Sequence, residues 1–424
     1  MRICKIWDSD YPWDVRVEKI CNSLISAGHE VHLVCRNIKK RRVYECINGL
    51  HVHRLPGFTA SIGGVPGFPF FLNPIWLFAI LKTVRKFKID CIIVRDLPMA
   101  LAGVIIGRLR RIPCFLDMAE PYPEMLEGYR KLQQLSLRKK VINLFVRNIH
   151  FAYMVEKLVC RQIAHIFPVS EEIRDNLIRK GVNGSKITVL RNTPPLSFFN
   201  DTESQADDSI FDRQEDGINV IYVGDLTEAR GLPVAILAID ILRKMNEKFN
   251  LQVIGKGRYE KKLREMVRQK ALENYIFFKG WVSHENLRKY FMSADIGIIP
   301  HVNSKHNNLT LPNKVFDVMA FGKPLVSANL VPIRRIVEET KSGLIFEDYT
   351  PKCLAEALLK LKDQELRLRI GENGRRSVRK IYHWERDFDN FMKTIFEIAA
   401  EPPLAQRCVL PPLVSERDTK GGSF

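Results

Sequence analysis

Leu311-Pro312-Asn313-Lys314-Val315-Phe316-Asp317-Val318-Met319-Ala320-Phe321-Gly322-Lys323-Pro324-Leu325-Val326-Ser327 decides the fold. Pro312 favours a helix start, and Val315, Phe316 and Met319 share one helical stripe. Gly322 suits the positive φ of a residue just past a helix end, and Pro324 blocks continuation before an apolar strand. The stretch predicts loop, short helix, glycine stop, strand. Unpaired N–H groups at the helix start suit an anion, Lys314 adds charge, and Asp317, one turn in, can accept hydrogen bonds from sugar hydroxyls. A phosphorylated sugar fits such a site better than the blander alternative, an ordinary amphipathic helix and strand, because Asn313, Lys314 and Asp317 cluster there.

Upstream, Asn219-Val220-Ile221-Tyr222-Val223-Gly224 reads as a strand ending in Asp225-Leu226-Thr227-Glu228-Ala229-Arg230-Gly231-Leu232, a turn feeding a helix from Pro233 to Met245. Glycine there permits close backbone approach, and Arg230 can fork to two phosphate oxygens. Leu251-Gln252-Val253-Ile254-Gly255-Lys256-Gly257 repeats the pattern of strand and glycine turn, and Phe277 to Val282 and Ala294 to Pro300 follow as further strands. Trp281 reads equally as core or as site. His301 and His306 lack the companions of a metal site and read as polar loop residues.

Pro312-Asn313-Lys314, Phe316-Asp317-Val318-Met319-Ala320 and Gly322-Lys323-Pro324 together resemble the donor signature of GT-B glycosyltransferases of family 4. The resemblance covers roughly residues 1–400 and is strongest over 219–346. It implies an α/β fold of two Rossmann-like domains facing across a cleft, with a C-terminal helix crossing back to the first domain. In that family two glutamates eight positions apart reach the donor sugar and the ribose. Asp317 matches the second with a shorter carboxylate, whereas the first falls on Leu309. A family segment whose two cations hold the donor pyrophosphate matches here with Arg230, while Asp225 replaces the other cation. Similar segments leave room for the donor at Gly224, Gly255 and Gly257 and pair the base near Val282.

The chain has 424 residues, 46% hydrophobic and 27% charged, enough for two α/β domains. We expect an acceptor-binding domain over 1–195, a polar linker over 196–217, a nucleotide-sugar domain over 218–380, a crossover helix over 381–400 and a disordered tail over 401–424. Nine cysteines show no metal-ligand spacing and sit mostly in apolar runs, as free thiols do in a reducing compartment. Met1 to Trp7 is at once a strand, without a signal peptide's apolar run and cleavage site, so a cytoplasmic protein is expected.

Of the net charge of +18, residues 1–195 carry 31 Lys+Arg against 16 Asp+Glu, and the remainder 35 against 32. A basic first half points to an anionic membrane surface or to no dedicated partner; zinc-finger spacing and aromatic-basic RNA signatures are absent, which argues against nucleic acid. Leu55 to Leu81 is uncharged, but Gly57, Gly63, Gly64, Pro66, Gly67, Pro69 and Pro74 break any spanning helix. Phe68, Phe70, Phe71 and Trp76 beside Lys82, Arg85, Lys86 and Lys88 fit a membrane interface or a helix covering the sheet. The basic stretch 130–165 leaves the same two readings open.

The first half opens β-α-β, with Asp14 and Arg16 at the first crossover's tip, and lacks the closely spaced glycines of a redox dinucleotide site. Asp96 follows the strand ending at Val94, and Asp117 and Glu120 follow the strand from Pro113. Carboxylates just beyond a buried strand are costly unless they bind something, which makes Asp117 and Glu120 the first acceptor-side candidates, with N-capping or surface acidity as the plainer alternative; Asp14, Arg16 and Asp96, on loops at the same carboxyl edge, join them. The histidine that approaches the donor sugar in the family is Ala119 here.

The expected reaction, on the resemblance, is transfer of a hexose or N-acetylhexosamine from a UDP- or GDP-sugar, with retention, to a glycan or polyprenyl-linked acceptor at the membrane's inner face. The catalytic residues would be Arg230 and Lys314, steadying the departing diphosphate in place of a metal, and Asp317, orienting the ribose. No cofactor is expected. A catalytically inactive scaffold and a sugar-nucleotide epimerase are the rivals.

Overall fold

Seven apolar runs pair into one sheet: Arg2–Asp10 (β1), Glu30–Arg36 (β2), Tyr44–Ile47 (β3), Leu50–Arg54 (β4), Cys91–Arg95 (β5), Cys114–Met118 (β6) and His165–Pro168 (β7). The computed structural model describes residues 1–12, 14–57, 71–132, 148–200 and 217–400. Strand order is β3-β4-β2-β1-β5-β6-β7, parallel throughout except for the β3/β4 hairpin at the edge. A second, wholly parallel sheet contains Ile218–Val223 (β8), Phe249–Ile254 (β9), Ile276–Gly280 (β10), Ile296–Ile299 (β11), Leu325–Ala328 (β12) and Gly343–Phe346 (β13), in the order β10-β9-β8-β11-β12-β13. Parallel strands must be covered on both faces, which explains their near-continuous burial.

In the first sheet one face packs against the helices Pro74–Lys86, Leu97–Arg110 and Ile149–Gln162, and the other against Val15–Ser26. That second face also receives Trp384–Ala400, the last helix of the chain, through Trp384, Phe391, Met392 and Ile395. The chain therefore returns to the domain it began with, as expected. Trp384 Nε1 donates to Ser23 Oγ at 2.7 Å, and the Phe391 ring meets Phe167 edge-on at 4.7 Å. The decisive stretch folds as read: a helix over Asn313–Ala320, Gly322 at φ 66°, then β12.

Of the two readings open for the stretch around Trp76, the structure takes the helix covering the sheet. Trp76 is fully buried and Phe71 nearly so, both inside the apolar cluster of the first sheet, so neither reaches a membrane interface. The helix begins at Pro74 with Asn73 accepting from Ile75 N–H, and this turns Trp76, Ile80 and Val84 inward while Phe78 stays exposed. Phe68 and Phe70, the basic stretch 133–147, residues 201–216 and the tail 401–424 lie outside the described residues.

Phe391 is fully buried between the two ends of the chain. Phe391→Ala should cost about 3–5 kcal/mol. The check is the denaturant midpoint of the unfolding transition that exposes the buried Trp384, followed by tryptophan fluorescence; an unchanged midpoint would mean the crossover helix is not anchored by this contact.

Candidate active site

In the second sheet β8, β9 and β10 run out in one direction and β11, β12 and β13 in the other, so the order reverses between β8 and β11. Ligands of parallel α/β sheets bind beyond the carboxyl ends at such a reversal, where diverging connections leave a crevice. The residues after β8 include Arg230, and those after β11 include Asn313, Lys314 and Asp317. The fold thus brings the two predicted donor elements to one place.

Arg230 ends a short 3₁₀ turn, Glu228–Arg230, and Gly231 follows at φ 68°. A Cβ at Gly231 would lie 1.8 Å from the Pro300 carbonyl oxygen and 2.0 Å from the Tyr349 hydroxyl, so only glycine lets this turn pass. The Arg230 guanidinium approaches His301 Nδ1 at 3.4 Å and has no carboxylate partner among the described residues. Burial, then Arg230 and His306, push the His301 imidazole well below its ordinary range, which leaves it neutral beside the guanidinium. Across the crevice, the helix Asn313–Ala320 starts after Pro312 with no side chain capping its N–H groups. Lys314 Nζ meets Asp317 Oδ2 at 2.9 Å, with the lysine part-exposed and the aspartate nearly buried. Arg230 and an uncapped helix start thus both follow the carboxyl ends of neighbouring strands at the reversal, with Lys314 held by Asp317 beside that helix start, an arrangement suited to a diphosphate.

The glycines have a different reason from the one expected. A Cβ on Gly255 would sit 1.9 Å from the Gly224 carbonyl oxygen, and one on Gly257 2.2 Å from that of Leu226. The space they open is filled by the neighbouring turn, not left for a donor. Gly224, Gly255 and Gly257 thus set the backbone beneath the crevice. Val282 follows β10 and is half-buried, and Trp281 beside it is mostly exposed. Asp225 is exposed.

On the facing domain, the acceptor-side candidates separate into two groups. Asp117 is fully buried, accepting from Lys5 Nζ at 2.8 Å and from Arg16 Nε at 2.8 Å and Nη2 at 2.6 Å. Burial raises its pKa, but the charges of Arg16, Lys5 and Arg95 outweigh burial and hold it far below the carboxylate range. Asp117 and Arg16 are thus a buried ion pair under the cleft and do not touch an acceptor, a correction to the sequence reading. Asp14 caps the helix Val15–Ser26 and takes a 2.7 Å bond from Arg95. Asp96, at φ 60°, accepts the N–H groups of Ala119 and Glu120 at 2.8 and 3.0 Å. Burial lifts its pKa to about 7 against the pull of Arg95. Glu120, positioned by that turn, keeps its carboxylate part-exposed and reaches across the cleft.

Its partner there is His306, bonded Nε2 to Oε2. The loop 301–311 makes further crossings: Lys305 pairs with Glu127 at 3.1 Å, and the Leu309 carbonyl accepts from Ser170 Oγ. Leu309 packs against the apolar cluster of the first domain. Sequence reasoning passed over His306 because a histidine in a loop carries no spacing signal; its one clue was its place between β11 and Pro312. Among the described residues no group of three His, Cys, Asp or Glu is placed to hold a metal ion. A cavity of about 640 Å³ beside Lys157, Arg161 and Lys186 lies elsewhere, on the helix Ile149–Gln162. Its Lys180 is already neutralised by Glu124 and Glu156, and it adds nothing to the cleft.

Comparison with known proteins bears on the family and the fold. A family model described as glycosyl transferases group 1 matches residues 203–377, and one described as glycosyl transferase 4-like domain matches residues 14–193. The amylovoran biosynthesis glycosyltransferase AmsK of Erwinia amylovora is 28% identical over 47% of this chain and 48% of its own length. A chitobiosyldiphosphodolichol beta-mannosyltransferase of Kluyveromyces lactis is 25% identical over 55% and 57% respectively. The chain spans about half the length of the first curated relatives it matches. Among solved structures, Anabaena Alr3699/HepE in complex with UDP superimposes with a TM-score of 0.69 at 14% identity, over 94% of this chain and all of that one, which shows the fold.

Asp117→Asn would leave Lys5 and Arg16 buried without a counter-charge and should cost about 3–5 kcal/mol. Because the native pKa of Asp117 is depressed, its contribution is present above the ordinary carboxylate range and fades as pH falls below about 4. Denaturant titrations of both proteins between pH 3 and 7 should show the gap narrowing on the acid side; a constant gap would contradict the buried pair.

Proposed function

The chain belongs to the group 1 glycosyl transferases of GT-B architecture, and on that premise we propose that it transfers a hexose or N-acetylhexosamine, with retention and without a metal, from a nucleoside-diphosphate sugar to a lipid-linked or surface-polysaccharide acceptor. The observation that carries this reading is the guanidinium of Arg230, without a carboxylate partner among the described residues, at the strand-order reversal opposite the uncapped helix start at Asn313. Preorganised positive charge at that point stabilises a departing diphosphate, the role a metal fills elsewhere. Arg230 and Lys314 hold the two phosphates, and the Asn313 and Lys314 backbone N–H groups add donors. Asp317 exchanges part of its bond to Lys314 for the ribose hydroxyls, and the backbone near Val282 takes the base. The UDP complex of the Anabaena neighbour favours a uridine donor.

A lipid-linked acceptor is supported by the first domain's outer face. The helices Pro74–Lys86, Leu97–Arg110 and Ile149–Gln162 cover the same side of the sheet, and they expose Phe78, Ile105, Leu109, Phe151, Met154 and Leu158. Lys82, Arg85, Arg108, Arg110, Lys157 and Arg161 lie on the same three helices. Apolar side chains among cations suit the interface of an anionic bilayer. Among the described residues no helix is long and apolar enough to cross one. The Kluyveromyces relative carries a diphosphodolichol-linked sugar in its name, which fits the same acceptor class.

Leu309 favours a second reading. It stands where a sugar-gripping carboxylate is expected and is committed to the other domain's core, so an inactive scaffold of the same fold is the alternative. Turnover separates the two, since a scaffold releases no nucleoside diphosphate from any sugar nucleotide.

Calorimetric titration of UDP, GDP and ADP should show selective binding of one nucleotide, weakened at least tenfold in Asp317→Ala and in Arg230→Ala. No binding at millimolar concentration would remove the donor site. For the membrane face, co-sedimentation with phosphatidylglycerol vesicles should fall sharply in Phe78→Asp/Leu109→Asp and at high salt; equal pelleting of variant and parent would reject that surface.

A further inference from the structure

Two contacts meet in the loop 301–311. At its start His301 lies against Arg230, the loop backbone is tied to the Arg230 turn by Val302 N–H to Ala229 O at 3.0 Å, and the loop is braced within itself by Asn307 Nδ2 to Val302 O at 2.8 Å. Five residues on, His306 bonds the Glu120 carboxylate of the other domain. The diphosphate side and the acceptor side of the cleft are thereby joined through one short, braced segment.

We propose that His306 is a positioning residue that takes up a proton when a nucleoside diphosphate occupies the Arg230 site, and so locks Glu120 in place to receive the hydroxyl groups of a carbohydrate acceptor. The inference rests on the donor-site reading above. Its physical basis is the balance of charge around the imidazole. From its own loop it faces neutral His301 and Asn307, with Lys305 next in sequence paired to Glu127. From the turn after β6 it faces Glu120, beneath which lies Asp96. From the turn after β8 it feels Arg230. Burial lowers the His306 pKa, the bond and charge of Glu120 outweigh burial, and Arg230 opposes the rise; the net is a pKa above the ordinary imidazole value. A bound diphosphate cancels the charge of Arg230 and adds its own, so the cation at His306 becomes easier to form. Thermodynamic linkage then makes the effect reciprocal: protonated His306 binds the diphosphate more tightly.

Glu120 has no need of His306 to fold its own turn, because Asp96 already holds the Ala119 and Glu120 N–H groups. What His306 adds is direction across the cleft and a charge state that reports on the donor. An acceptor carboxylate held more firmly once the donor arrives would favour acceptor binding to the loaded enzyme.

The test uses the full chain and UDP as probe. Dissociation constants are measured by calorimetry between pH 6 and 8.5 for the parent, His306→Gln and Glu120→Gln, in buffers of differing ionisation enthalpy. The ionisation of UDP is common to all three and cancels in their ratios. The parent should bind relatively more tightly at the acid end, by about tenfold for each unit by which UDP raises the His306 pKa, and should take up a fraction of a proton on binding. His306→Gln should show neither effect. ¹⁵N-histidine spectra should place the His306 pKa above the ordinary value, raise it further with UDP, and lower it in Glu120→Gln. UDP binding with the same pH dependence in parent and His306→Gln would overturn the coupling and leave the donor site standing. Absence of UDP binding to the parent, with GDP and ADP also silent, would overturn the donor-site reading and the coupling with it, whereas a His306 resonance still tied to Glu120 would show the contact itself to be real.

Discussion

The cleft depends on how the chain crosses between its halves. It does so twice, near Thr193 to Leu196 and near Tyr382 to Glu385, and the two crossings are bound to one another. Trp384 N–H donates to the Pro194 carbonyl at 3.0 Å, Leu196 N–H to Glu385 at 3.0 Å, and Asp387 accepts from both Thr193 at 2.8 Å and Arg191 at 3.0 Å. Lys19, on the first domain, donates to Thr193 O at 2.6 Å and covers the Trp384 ring. Two segments of chain fastened side by side form one hinge region between the halves.

Away from the hinge the two halves are held by different chemistry. Arg335 reaches Glu171 and Glu172 at 2.7 Å, Lys305 reaches Glu127, and His306 reaches Glu120. These are partly exposed ion pairs, each worth little on its own because water competes for both partners and salt screens them. Leu309 is the apolar contribution, and Ser170 secures its carbonyl. The hinge is thus firm and the mouth weakly latched, which is the distribution a cleft needs if substrates are to enter and the site is then to exclude water.

What the sequence made legible was local. Pro312, the Val315–Phe316–Met319 stripe, Gly322 and Pro324 act over one turn each, so their reading as helix, stop and strand survives in the structure. The crossover helix was legible through resemblance, and its amphipathic face packs as expected. Trp76 stayed open between two readings because an aromatic next to lysines looks alike whether the helix turns it inward or outward; the structure turns it inward, three positions after the Asn73 cap. Asp117 was misread because its partners lie 112 and 101 residues away, on a strand and a helix whose register no local pattern reveals. Gly255 and Gly257 were expected to leave room for a donor, but the atoms that approach them belong to the adjacent turn.

The same distinction explains why the site departs from the family pattern at Leu309 and Ala119 without losing a polar cleft. Leu309 gains by leaving water, and the loop that carries it turns that side chain toward the other domain's apolar cluster. Turning Leu309 away brings His306, three residues earlier in the same compact turn, to the cleft face; Leu309 N–H and Thr310 N–H both return to the His306 carbonyl at 3.0 Å, which fixes that relation. The His306 imidazole thereby meets the carboxylate that follows Ala119 from the opposite wall, and this polar contact of the cleft exists only while the two domains touch.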